Sequence, residues 1–106
     1  LFPALLLYIG AAVAEQPEPE FGSAGNPVKT QGKEGTREYI DNLDCENGAI
    51  PEYKHESSAE VGPSGKKLDK YIMRCEADSV QIFAIYLDPN HAKTDTRPVK
   101  GFTSWL

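Results

Sequence analysis

Beyond Ala14 this chain is short of the residues that build cores: Val, Ile, Leu and Phe make up only 16 of the 92 residues that follow. That share lies below the roughly 20% at which a sequence approaches the disordered class, and the same stretch carries all 11 basic and all 16 acidic residues. Whatever folds from it is one small domain with a thin core, held in part by something other than apolar burial. A net charge of −5 argues against a nucleic-acid or anionic-membrane surface, so no nucleic-acid partner is expected.

The first fourteen residues, LFPALLLYIGAAVA, are the opposite in character. The apolar run Leu5 to Ile9, then Gly10 and the small residues Ala12 and Ala14 at −3 and −1, predict a signal peptide over 1–14 cleaved after Ala14. The charged n-region and initiator Met are expected to lie upstream of Leu1. As a helix, fourteen residues would span about 21 Å against a bilayer core of about 30 Å, so a retained anchor is the weaker reading. No apolar stretch long enough to span follows, and no Cys follows the run to carry a lipid. The expected location is periplasmic or secreted.

An exported chain makes a disulfide permissible, and Cys45 and Cys75 are the only two cysteines. Closing a loop of about 30 residues would stabilise the fold by roughly 3–4 kcal/mol, a large share for so thin a core. The rival readings are a metal site or a catalytic thiol. Neither is favoured, because the cysteines do not form a CxxC pair and have no His at ligand spacing.

Residues 15–25 (EQPEPEFGSAG) read as a disordered linker, and 26–106 as the domain. Within it, 34–43 (EGTREYIDNL) places Tyr39, Ile40 and Leu43 on one stripe of a short helix that has to dock to persist. Asn47-Gly48 signals a turn, and 52–61 (EYKHESSAEV) a polar edge strand with Tyr53, His55 and Ser57 on one face. After the breaker Gly62-Pro63-Ser64-Gly65, 68–75 (LDKYIMRC) is expected to put Tyr71, Met73 and Cys75 inward. It forms a hairpin with the apolar 80–87 (VQIFAIYL), read as the central strand. Residues 90–106 read as irregular, with Phe102 and Trp105 covering the core. The expectation is α+β: one short helix, pinned through Cys45, on an antiparallel sheet of about three strands that carries Cys75.

Gly62-Pro63-Ser64-Gly65-Lys66 fits neither a phosphate-binding loop nor a nucleophile elbow, since Glu60, Lys67 and Lys66 stand where Gly, Ser/Thr and Gly are required. Asp88, His91 and Asp95 could hold a metal if their loop wrapped around it, although Asp88-Pro89-Asn90 is equally explained as turn chemistry. His55, between Glu52 and Glu56, reads as a solvated or salt-bridged histidine. Lys66, Lys67, Lys70 and Arg74 form the one basic cluster, either a solvated face or a docking patch for an acidic partner. No catalytic residue and no cofactor is assigned.

Asn26-Pro27-Val28, Gly35, Tyr39, Leu43, Cys45, Asn47-Gly48, Pro51, Val61-Gly62-Pro63, Gly65, Leu68-Asp69, Tyr71, Arg74-Cys75, Tyr86-Leu87-Asp88, His91 and Gly101-Phe102 together resemble a group of small exported bacterial proteins of unassigned activity. The resemblance implies an exported, single-domain, disulfide-bonded protein and carries over no catalytic residue. The functional expectation is a non-enzymatic binding, accessory or inhibitor-like module of the bacterial envelope or secretome, presenting the hairpin or the 62–65 loop to an envelope or extracellular protein. The alternative is a small metal-dependent hydrolase using Asp88 and His91.

Overall fold

A computed structural model describes residues 18–76 and 79–106, so the expected leader, its cleavage site and the start of the linker lie outside the described residues. The elements run β1 (Val28–Lys29), α1 (Gly32–Asp41), β2 (Leu43–Cys45), β3 (Glu52–Glu56), β4 (Asp69–Glu76), β5 (Val80–Asp88) and β6 (Phe102–Ser104). The α+β class stands, with one helix among the described residues. The sheet is larger than expected and mixed: four strands in the order β1-β5-β4-β3, with β1 parallel to β5, plus a separate antiparallel pair of β2 and β6.

The hairpin of β4 and β5 is the frame. Its register, with Tyr71 opposite Ile85 and Met73 opposite Phe83, puts odd-numbered residues of both strands on one face. Met73, Cys75, Ile85 and Leu87 are buried there. They share a cluster with Tyr39 and Ile40 of α1, Leu43 and Cys45 of β2, and Phe102 of β6. Each large side chain so buried contributes roughly 1.5–3 kcal/mol. The other face, carrying Lys70, Ile72, Arg74, Val80, Ile82, Ala84 and Tyr86, has no layer of its own among the described residues.

Helix α1 is ten residues long and has no side-chain N-cap, so docking is what keeps it. Gly35 lets it approach residue 94: a Cβ there would sit 2.4 Å from Thr94 Oγ1, the oxygen that accepts from Gln31 N. The Tyr39 hydroxyl donates to the Arg97 carbonyl at 2.6 Å, and burial pushes its phenol well above the usual range. Leu43, expected at the end of the helical stripe, lies instead in β2, just past the C-cap Asn42, whose backbone and side-chain N–H groups both donate to the Glu38 carbonyl.

Cys45 and Cys75 are bonded, with Cα atoms 5.9 Å apart. Since Cys45 sits in β2, the bridge joins the small sheet to β4 and does not pin the helix directly. Within the stretch expected as linker, Phe21 packs against the core and under the Arg97 guanidinium, and the Gly22 carbonyl accepts from Tyr86 N at 2.8 Å. At the other end, residues 102–104 are not irregular: they pair with β2. Phe102 is buried, as expected, whereas Trp105 is 76% exposed and its indole N–H donates to the Asp44 carboxylate.

Candidate functional site

Asp88 closes β5 and is only 1% exposed. Its Oδ1 accepts from the Asn90 backbone and side chain, an Asx turn in which the strand-ending role read from Asp88-Pro89-Asn90 is realised. Its Oδ2 lies 2.7 Å from Ser64 Oγ and 3.0 Å from His91 Nε2. Burial pushes this carboxyl up, but hydrogen bonds from Asn90, Ser64 and His91 outweigh it and hold Asp88 at about 2. The breaker at 62–65 forms the expected turn, closed by Gly65 N to the Gly62 carbonyl at 2.9 Å. That turn delivers Ser64.

Ser, His and Asp therefore meet, but not as a relay. Ser64 and His91 both spend a polar atom on one carboxylate oxygen, so the serine proton faces Asp88 and not the imidazole. A carboxylate held at about 2 is a feeble base toward a hydroxyl. The cluster works as a knot that fastens the 62–65 turn and the start of the 89–91 segment to the end of β5. His91 N donates to the Thr30 carbonyl, extending the knot to the residue that follows β1.

Asp95 does not join it. Its carboxylate accepts from Lys29 N at 2.9 Å and its own N–H donates to the Lys29 carbonyl. Among the described residues no group of three or more His, Cys, Asp or Glu side chains is arranged to hold a metal ion. The basic cluster is dispersed: Lys66 and Lys67 are exposed on the loop, Lys70 lies 3.7 Å from Glu56 and over the Tyr86 ring, and Arg74 pairs with Glu76 at 2.9 Å.

A second group was not legible as a group. Between the N-terminal half of α1 and the β3–β4 ladder lies a cleft of about 360 Å³ lined by Lys33, Arg37, His55, Asp69 and Tyr71. His55 Nε2 is 3.6 Å from Asp69 Oδ1, beyond hydrogen-bond range, and its ring lies 5.0 Å from that of Tyr71. Alternation places Tyr53 with His55 and Tyr71 with Met73. Only the register, His55 opposite Tyr71, brings the two sets together. With His55 mostly in solvent, the cleft lacks the dry surroundings that tune a general base.

Among the described residues the exposed large apolar side chains are Tyr53, Val61, Trp105 and Leu106 and, at the far end of the sheet from Asp88, three more. Ile50, Val80 and Ile82 are 86%, 51% and 67% exposed. The Asn47 side chain donates to the Glu76 carbonyl, so the turn carrying Ile50 stands beside the hairpin end that carries Val80. Ile72, opposite the exposed Ala84, extends this strip past Arg74 and Glu76, which lie opposite Ile82 and Val80 on the same face. Comparisons with models of protein families, with curated proteins and with solved structures return no match for the chain.

Proposed function

We propose that this chain is an exported, disulfide-stapled binding module of the bacterial envelope or secretome, accessory or inhibitor-like, that engages a protein partner through the distal end of its β4–β5 hairpin. The observation that carries the reading is the concentration of Ile50, Val80 and Ile82 at one end of a chain with few such residues to spare. Scattered exposed apolar residues are ordinary, but a contiguous exposed group marks an interaction surface. The Ser64–Asp88–His91 cluster supports the same reading, because its polar atoms are consumed by the fold. Export is supported by the disulfide and by the leader read over 1–14, and no helix among the described residues is long and apolar enough to cross a membrane.

The test is co-purification of the tagged protein from an exporting host, comparing the parent with Ile82→Asp, with Ile50→Asp, and with the loop pair Lys66→Glu and Lys67→Glu. A protein retained by the parent and the loop pair but lost from Ile82→Asp and Ile50→Asp is the expected result. Equal retention by all forms, or a His91-dependent hydrolytic activity of the purified protein, would overturn the reading.

A further inference from the structure

The exposed strip runs onto an open sheet edge. On β5, Tyr86 N donates to the Gly22 carbonyl and the Asp88 carbonyl accepts from Thr30 N, so the even-numbered residues direct their backbone groups away from β4. Val80, Ile82 and Ala84 point theirs the same way, and among the described residues nothing on that side pairs with them. The two edges of the sheet differ sharply. β3 is blunted by Glu52, Lys54 and Glu56, whereas residues 80–84 (VQIFA) hold no charge, no Pro and no bulge, the features with which sheets ordinarily protect an edge.

Beside this edge runs a groove of about 480 Å³ whose charged lining residues are Glu20, Glu46 and Lys100. Glu46 and Lys100 stand at different points along the strand. Glu46 follows Cys45, whose partner Cys75 lies opposite Gln81, so it stands near the start of β5. Lys100 precedes Gly101, which abuts the Phe83 ring, and follows Val99, which packs on Gly22, so it stands further along the strand.

We infer that the open edge of β5 is a self-association surface, where a second copy of this chain adds antiparallel across a two-fold axis at Ile82. The inference rests on the hairpin reading above and names the partner of that same surface. A two-fold there pairs Ile82 with Ile82 and Val80 with Ala84, using the whole free stretch, and gives about six main-chain hydrogen bonds. It also lays Lys100 of each copy toward Glu46 of the other, twice over. An unrelated extended peptide would match the backbone but not this reciprocal charge placement, and isologous contact is the commonest way identical chains meet. The result is a sheet continuous through both copies, weak by interface standards because the pairing is short.

Sedimentation equilibrium of the purified protein up to about 1 mM tests it. The expected result is a monomer–dimer equilibrium weakened about tenfold or more by Ile82→Pro, which removes an outward N–H and leaves the bonds to β4 intact. Lys100→Glu and Glu46→Lys, both on exposed side chains, each abolish dimerisation alone, and mixing the two proteins restores it as a heterodimer. A parent that stays monomeric throughout, or a dimer indifferent to these variants, overturns the inference. Host co-purification reads the broader proposal independently: a monomer that still loses its captured protein on Ile82→Asp sinks only the dimer.

Discussion

Desolvation alone would raise the Asp88 carboxyl, and a neutral acid would leave Ser64, Asn90 and His91 with a poorer acceptor. Their hydrogen bonds reverse the balance, so Asp88 is charged in the folded state down to about pH 2 while its ordinary value is 3.8. A depressed folded-state value means the contribution is present above the unfolded value and disappears as pH falls through the folded one. The shift corresponds to about 2 kcal/mol, complete at neutral pH and lost progressively from about pH 5 to about pH 2. Asp88→Asn is therefore expected to cost about 2 kcal/mol at pH 7 and much less near pH 2.5, read from urea midpoints at several pH values. A cost independent of pH would show that the knot stabilises by shape and not by charge. The turn at Asp88-Pro89-Asn90 was legible, since Asp and Asn bonding their own backbone is a local matter. Ser64, 24 positions away, was not, because only the strand register brings the 62–65 turn over the end of β5.

At the scale of elements, what was readable had a period. The alternation in 68–75 and the apolar run of 80–87 marked the two long strands to within a residue or so. β1 has two residues and β6 three, too few to carry a period, so both were missed and with them the mixed sheet. The same shortness hid β2, whose Leu43 completes a plausible helical stripe but lies in the small sheet, just past the C-cap Asn42 of α1. Gly101 shows how narrowly β6 is seated. It adopts φ +95°, and a Cβ there would lie 2.6 Å from the Phe83 ring, which packs edge-on to Phe102 at 4.8 Å. Gly101→Ala meets both backbone strain and a rigid aromatic, so an expected loss of about 2–4 kcal/mol should appear in thermal or urea unfolding. Gly48→Ala serves as the control: it shares a positive φ of 86° with nothing within 4 Å, and its cost should be limited to about 1 kcal/mol. Equal losses from the two would mean that contact with Phe83 contributes nothing to the seating of β6.

For the whole molecule, the scarcity of Val, Ile, Leu and Phe and the position of the disulfide belong to one argument. The core is a single cluster spread over six of the seven elements, and the small β2–β6 sheet enters it through only Leu43, Cys45 and Phe102. Trp105 N to the Asn42 carbonyl and the exposed Trp105–Asp44 contact brace that sheet within itself, while the Asn47 side chain on the Glu76 carbonyl and the Phe83–Phe102 contact tie it to the hairpin. The Cys45–Cys75 bond is the one covalent link between that sheet and β4. Its loss is expected to cost roughly 3–4 kcal/mol through the freed loop of about 30 residues, against a total of 5–15 kcal/mol for an ordinary domain. The geometry adds an order of events: with the bond reduced, the amides of β2 and β6 should lose hydrogen-exchange protection before those of the β4–β5 hairpin, whose ladder runs from Asp69–Leu87 to Glu76–Val80 and does not depend on it. Hydrogen exchange on the oxidised and thiol-reduced protein, with urea unfolding of each, measures both quantities. Simultaneous loss of protection throughout would mean that the hairpin has no stability apart from the small sheet. Protection in β2 and β6 unchanged by reduction, with a stability loss below about 1 kcal/mol, would mean that so lean a set of core residues holds the two sheets together unaided.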